Sequence, residues 1–285
     1  MTFTTTRYEL HDGFIEAIEY GDCKTAEISV VFLHGWLDNS ASFYTVMEGL
    51  FGQAPNLHLC AIDLPGHGHS SHKTHNNFYP FHDYIDDIYQ FLVKFSPNRV
   101  VLVGHSLGAL VASCYSAAFP EQVSGLVQIE GYGPLAEKES ETVSRLREGV
   151  LSRQRIRKKP ARAFPSKQDA VERRAKVNHI LPELIEPIVS RGLVERDSQW
   201  FWRHDVKLQS QSLYRMSLEH AHSIRQHITC PQVVILGEQG FSHLHSFQQD
   251  ASETIQFEWV LGGHHCHLQS PSRVIDLIFG LVNKI

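Results

Sequence analysis

Cysteine is sparse in this chain, with five residues (Cys23, Cys60, Cys114, Cys230 and Cys266) among 285. They are odd in number and widely spaced, and no two form a C-x-x-C pair. That pattern excludes a disulfide framework and points to reduced thiols in a cytoplasmic protein. Long apolar runs are missing too. None approaches the roughly 18 residues of a membrane span, so no membrane partner is expected. The opening stretch from Met1 to Arg7 has neither the basic segment nor the apolar segment of a secretory leader. A large excess of one charge sign is missing, and the formal net charge of -5 argues neither for nor against an acidic partner. Internal repeats and low-complexity segments are absent as well. What remains is a chain with 42% hydrophobic residues, ample for one elaborated domain with a sizeable core.

The most informative stretch runs from Val101 to Leu110. A β-branched apolar run leads into Gly104-His105-Ser106-Leu107-Gly108, and a small-residue helix follows (Ala109, Ala112, Ser113, Ala117, Ala118). Strand, Gly-x-Ser-x-Gly and helix together form a nucleophile elbow. A serine thrust out of a sharp turn needs small neighbours two positions away on each side. The helix start adds positive potential where negative charge would develop.

The rest of the chain alternates strand and helix. Residues 3–9 and 14–19 flank Asp12-Gly13 as a hairpin. Buried strands are expected over 28–33, 57–62, 123–129, 231–236 and 255–260, with helices over 79–95 and 271–282. Such alternation predicts a mostly parallel sheet covered on both faces, with ligands beyond the carboxyl ends of its strands. Residues 135–220 are charged, mostly helical in pattern and free of buried-strand runs. They are expected to form a helical cap inserted after the sixth strand, over a core made of residues 1–134 and 221–285.

Four segments, VFLHGWLDN (31–39), IDLPGHGHS (62–70), VGHSLG (103–108) and LGGHHCHLQSP (261–271), together resemble the α/β-hydrolase superfamily. A closer resemblance, to serine hydrolase-like proteins, extends through RGLVERD (191–197) and AHSIRQ (221–226). It implies an α/β-hydrolase fold on an eight-stranded sheet, with Ser106 as nucleophile. An aspartate at that position would imply the chemistry of dehalogenases and epoxide hydrolases. Serine implies acyl transfer.

The base is expected on the last loop, where His264, His265 and His267 stand. The resemblance favours His264, which follows Gly263 and precedes Pro271 by the family's interval. His265 competes on geometry, while packed or solvated roles are expected of His265 and His267. A zinc site built from His264, His265, Cys266 and His267 alone would need partners elsewhere, so no metal is expected. The acid departs from the family pattern. After the strand ending at Leu236 the chain reads Gly237-Glu238-Gln239-Gly240, with glycine in the usual aspartate slot. Glu130, at the end of the strand after the elbow helix, is the expected acid, with Glu238 as the alternative. The backbone amides of Trp36 and Leu107 are expected to form the oxyanion hole.

His34 is expected to be a structural hydrogen-bonding residue, and Asp63, Gly66 and Gly68 a shaped turn. The basic run from Arg145 to Arg162 reads as a solvated helix face or as an attractor of an anionic substrate or acidic carrier. It lacks the interleaved aromatics of a nucleic-acid surface, so no nucleic-acid partner is expected. Trp200, Phe201 and Trp202 either line a pocket or dock the cap. The expected activity is hydrolysis of a small acyl substrate, without cofactor, by a monomer or homodimer. The rival expectation is a non-catalytic ligand receptor, which Gly240 keeps open.

Overall fold

Short β-branched runs such as Ser29–Leu33 and Val100–His105 bury every residue, as strands covered on both faces must. The structure is a computed structural model describing residues 3–285. Met1 and Thr2, part of the stretch read above for a leader, lie outside the described residues. Eight strands form the main sheet: β1 (Thr4–Leu10), β2 (Gly13–Tyr20), β3 (Ser29–Leu33), β4 (His58–Ile62), β5 (Val100–His105), β6 (Val123–Ile129), β7 (Gln232–Gly237) and β8 (Ile255–Val260). Their spatial order is β1-β2-β4-β3-β5-β6-β7-β8. The β1–β2 hairpin and the β2–β4 pair are antiparallel, and every other pairing is parallel.

Helices cover both faces. α1 (Tyr44–Gln53) and α8 (Pro271–Val282) bury Met47, Leu50, Ile275 and Ile278 against one face. On the other, α2 (Asp83–Phe95) and α3 (Leu107–Ala118) bury Ile88, Phe91, Val111 and Tyr115. The strand order places the carboxyl ends of β3, β5, β6, β7 and β8 side by side, so the loops after them meet at one edge.

Between β6 and β7 lie α4 (Thr142–Arg157), α5 (Lys167–Asn178), α6 (Pro182–Gly192) and α7 (Leu218–Gln226). The segment is mostly helical, as expected, but it also holds a small sheet that the sequence pattern did not suggest. Leu193–Arg196 and Gln199–Trp202 form an antiparallel hairpin, which Ala163–Phe164 extends to three strands. The turn residues Asp197 and Ser198 both take positive φ (50° and 58°), as a two-residue primed hairpin turn requires. With no glycine in the turn, the usual sequence signal was missing. Trp200 and Trp202 pack against a cluster of Phe164, Ile185 and Val189 that also takes in Ala41 and Leu268 from outside the segment. A parallel ladder of Ala136–Glu137 with Met216–Ser217 brings the two ends of the segment together.

Buried polar contacts tie this segment to the sheet edge. The Arg191 guanidinium donates to Asp63 Oδ2 from Nε at 3.1 Å and from Nη2 at 2.7 Å. Asp63 also accepts the backbone N–H groups of Ser40 and His69, each at 2.7 Å, across the turn that contains Gly66 and Gly68. Arg174 donates to Asp38 at 2.7 Å, and Asn39 donates to the Ile188 carbonyl at 2.8 Å. All five cysteines are free, and no helix of the described residues is long and apolar enough to cross a membrane.

Burial alone would raise the pKa of Asp63, but the Arg191 guanidinium outweighs it and holds the carboxyl below its ordinary value. A depressed carboxylate stabilises the fold above its unfolded pKa of about 3.9, and that contribution is lost as pH falls through the folded value. Removing one partner of a buried pair leaves the other charge uncompensated, so Arg191→Met is expected to cost about 3–5 kcal/mol in urea denaturation at pH 7. Thermal melts from pH 7 to pH 2 should show a steeper acid loss for the wild type than for this variant. Equal slopes would mean that the pair does not carry the acid dependence.

Candidate functional site

The strand–turn–helix at Ser106 is sterically exact in its requirement for glycine. A Cβ on Gly108 would lie 1.9 Å from the Leu33 carbonyl oxygen, and one on Gly104 would lie 2.4 Å from the Ala109 nitrogen. Between them Ser106 takes φ 50° and ψ -116°, a strained conformation for a residue with a side chain. Its N–H donates to the Ile129 carbonyl at the end of β6 at 2.9 Å, and its carbonyl accepts from Leu110 at 3.1 Å. The turn is thus held between a strand end and a helix start, with Leu107 opening α3. Among the described residues, neither the Leu107 nor the Trp36 backbone N–H donates a hydrogen bond.

His264 reaches this edge from the loop after β8. Its Nδ1 lies 3.3 Å from Glu130 Oε2, and the Phe241 ring packs against it with centroids 4.3 Å apart. Donation from Nδ1 to the carboxylate leaves Nε2 as an acceptor. The Glu130 side chain is wholly screened from solvent. Its Oε1 accepts the Gly237 N–H at 2.7 Å, and its Oε2 accepts the Phe241 N–H at 3.0 Å. Glu130 itself sits at φ 51°, turned back against the end of β7, where its N–H donates to the Ile235 carbonyl at 2.9 Å. A Cβ on Gly240 would fall 2.1 Å from Glu130 Oε1. The glycine and the glutamate therefore share one space, and only one of the two positions can carry a side chain there. Glu238 is exposed, and its carboxylate makes no hydrogen bond among the described residues. His264 and Ser106 line one cavity, although no hydrogen bond joins their side chains among the described residues. Such contacts are commonly long until a ligand tightens them.

The neighbouring histidines are packed. His265 Nε2 lies 3.1 Å from Asp38 Oδ2, His267 Nε2 lies 2.8 Å from the Ser42 hydroxyl, and His105 donates from Nε2 to the His264 carbonyl at 2.8 Å. Burial pushes the pKa of His267 down to about 3 and that of His105 well below its ordinary value, so both rings are neutral. His34 accepts the Leu64 N–H at 2.9 Å and donates to the Gly35 carbonyl at 2.7 Å, which is a structural role. Asp38, His105 and His265 bring three donor atoms within 4.8 Å of one another, a set of the right chemistry for a divalent ion. Asp38 is, however, already neutralised by Arg174 and hydrogen-bonded by His265, so the cluster closes as an ion-pair network of its own.

Comparison with known proteins bears on the family and the fold. The model for the α/β hydrolase fold matches residues 28–246. The chain belongs to that family. A serine hydrolase-like protein of Danio rerio is 26% identical, over 87% of this chain and 79% of its own. Among solved structures, a hypothetical protein of Pseudomonas aeruginosa PAO1 superposes with a TM-score of 0.87 at 26% identity, covering 99% of each chain. The thioesterase domain from the curacin biosynthetic pathway shares the fold, with a TM-score of 0.85 at 19% identity over 98% of this chain and all of that one.

In this hydrolase-fold chain two clefts open onto Ser106, and Trp36 lines both. The Trp36 indole donates to the Leu208 carbonyl at 2.9 Å, anchoring the ring to the segment between β6 and β7. One cleft, of about 780 Å³, holds His264, Phe241, Trp202 and Arg173. The other, of about 400 Å³, holds Leu107, Leu110, Leu208 and Arg215. Sequence reasoning missed Arg215, the Asp38–His265 contact and the link between Gly240 and Glu130. The only signal for the last was an absence, glycine in an acidic slot. Of the basic run, Arg145 is paired with Glu137 at 2.7 Å, and Arg153 lies over the Phe78 ring at 4.4 Å. The rest of the run, from Arg147 to Arg162, is exposed in the main.

The shared space yields a direct test. Gly240→Ala should push the Glu130 carboxylate from its seat, and the downfield imidazole Nδ1 proton resonance of His264 should disappear. A resonance unchanged from wild type would show that Glu130 does not hold His264.

Proposed function

We propose that this protein is a serine hydrolase of a carboxylic ester or a related small acyl substrate, working through an acyl-enzyme. The observation that carries this reading is the Glu130 carboxylate, 3.3 Å from His264 Nδ1 in the space that Gly240 leaves empty. It supports an acid at a second location on the fold in place of a missing one. The receptor alternative rested on Gly240, and the space that this glycine leaves for Glu130 favours the hydrolase reading over it.

In the proposed mechanism the Ser106 hydroxyl attacks the acyl carbonyl while His264 Nε2 takes its proton. The carbon–oxygen double bond opens to an oxyanion facing the Trp36 and Leu107 N–H groups, both without other partners among the described residues. Glu130 fixes the His264 tautomer and stabilises the imidazolium. The intermediate collapses, His264 returns the proton to the departing alkoxide or thiolate, and the acyl group remains on Ser106. Water, deprotonated by the same imidazole, then attacks the acyl-enzyme. The acid is released and the serine regains its proton. Residues 135–220 act as a lid over a core of residues 1–134 and 221–285, a reading supported by the ladder that closes the segment on itself. The five free thiols suit a reducing compartment such as the cytoplasm.

A fluorophosphonate probe should label the purified protein at Ser106 and fail to label Ser106→Ala or His264→Ala. Absence of labelling in the wild type would sink the hydrolase reading. Glu130→Gln should lower turnover of a short-chain aryl ester by about four orders of magnitude. Exchanging the two positions, in Glu130→Ala with Gly240→Asp, should recover part of the activity lost in Glu130→Ala alone. No recovery, together with wild-type turnover in Glu130→Gln, would remove Glu130 from the mechanism.

A further inference from the structure

The smaller cleft beside Ser106 has an uneven charge. Three cations line it, Arg145, Lys207 and Arg215, and no carboxylate does. The chain as a whole carries a formal net charge of -5, so this is not a general basic character. Two of the cations have partners outside the cleft lining. Arg145 is held by Glu137 through Nε at 2.9 Å and Nη2 at 2.7 Å. Lys207 pairs with Asp205 at 3.2 Å and donates to the Thr74 carbonyl at 2.9 Å. Arg215 is the exception. Among the described residues its guanidinium has neither an ion-pair nor a hydrogen-bond partner, although the side chain is half-buried.

The backbone at Arg215 is not free to swing away. It directly precedes Met216–Ser217, which pairs with Ala136–Glu137 in the ladder at the neck of the intervening segment. Leu110, Leu135, Leu208 and Met216 line the same cleft and give it an apolar wall. A half-buried guanidinium beside apolar surface, without a protein acceptor, is compensated only on its solvent side. Burial and the neighbouring Arg145 push its pKa down from the ordinary value, with only partial offset from Glu137. A counter-anion in the cleft would relieve both effects.

The side of the site on which this cleft lies decides which part of the substrate meets Arg215. His264 and Phe241 line the other cleft. The imidazole must hand its proton to the departing group, so that group occupies the His264 side. The acyl arm is left with the cleft of Leu110, Met216 and Arg215. We infer that the substrate is an acyl compound whose arm ends in a carboxylate, a half-ester or half-thioester of a dicarboxylic acid. Its methylenes lie along the apolar wall, and its free carboxylate is bound by Arg215. This inference rests on the serine-hydrolase reading for the placement of the acyl arm. The planar fork of an arginine matches a carboxylate with two parallel hydrogen bonds, which a lysine cannot reproduce.

The test compares 4-methylumbelliferyl half-esters of glutaric, adipic and suberic acids with the matching esters of pentanoic, hexanoic and octanoic acids. At one chain length or more, kcat/KM for the anionic ester should exceed that for its neutral partner by about ten- to a hundredfold, the size of a charge-assisted contact. In Arg215→Ala that ratio should fall at least tenfold, through KM, and Arg215→Lys should retain part of it. A ratio near one at every length in the wild type, or a ratio unchanged in Arg215→Ala, overturns the inference. Should the fluorophosphonate fail to label and no ester turn over, the hydrolase reading fails on its own. Calorimetry with free suberate then tests the anion site separately. Binding at least tenfold weaker in Arg215→Ala supports it, and equal binding in both proteins removes it.

Discussion

The carboxylate of Glu130 is wholly removed from water, and a charge in that position costs several kcal/mol unless donors surround it. The surrounding structure meets that demand from three directions. β7 presents the N–H of Gly237, the following loop turns back to present that of Phe241, and the loop after β8 brings His264 alongside. Glu130 reaches these donors by adopting φ 51°, a conformation rare for a glutamate, while Gly240 withdraws any side chain from the same volume. Strain at one residue and a missing side chain at another are two sides of one arrangement. The carboxylate thereby joins the ends of β6, β7 and β8.

A second pair of buried acids organises the opposite side of the site. Asp38 and Asp63 follow β3 and β4 in the chain, and each meets an arginine from the segment between β6 and β7, Arg174 and Arg191. For Asp38, burial would raise the pKa, but His265 and Arg174 together hold it well below the ordinary carboxylate value. These pairs are better understood as positional devices than as sources of net stability, because desolvation consumes much of the Coulombic gain. They fix where the segment sits over the strand ends. Around Ser106 lie two clefts of different character, one rich in histidine and one with an apolar wall and three cations, of which Arg215 has no partner among the described residues. Fold and site are linked most tightly here, since the residues that position the segment also shape the space in front of the serine.

Much of this was readable in the chain because the signals were local. Strands such as Val100–His105 announce themselves by continuous burial, and the glycines at 104 and 108 by the turn they permit. The strand-end position of Glu130 was legible because a carboxylate closing an apolar strand demands a partner. The hairpin through Asp197 and Ser198 was not, since its primed turn lacks the glycine that usually marks one. Nor were the partners of His265 and His267, because Asp38 and Ser42 lie more than two hundred residues away in the chain.

The sequence by itself determined the sheet, the elbow and the short set of candidate residues around it, because periodicity, β-branching and glycine spacing act over a few residues at a time. Only the tertiary structure decided which acid faces His264 and which arginines are already neutralised. Those outcomes depend on the sharing of a few cubic ångströms between Glu130 and Gly240, and on which carboxylate reaches which guanidinium. Both are relations between distant positions, and no local pattern encodes them.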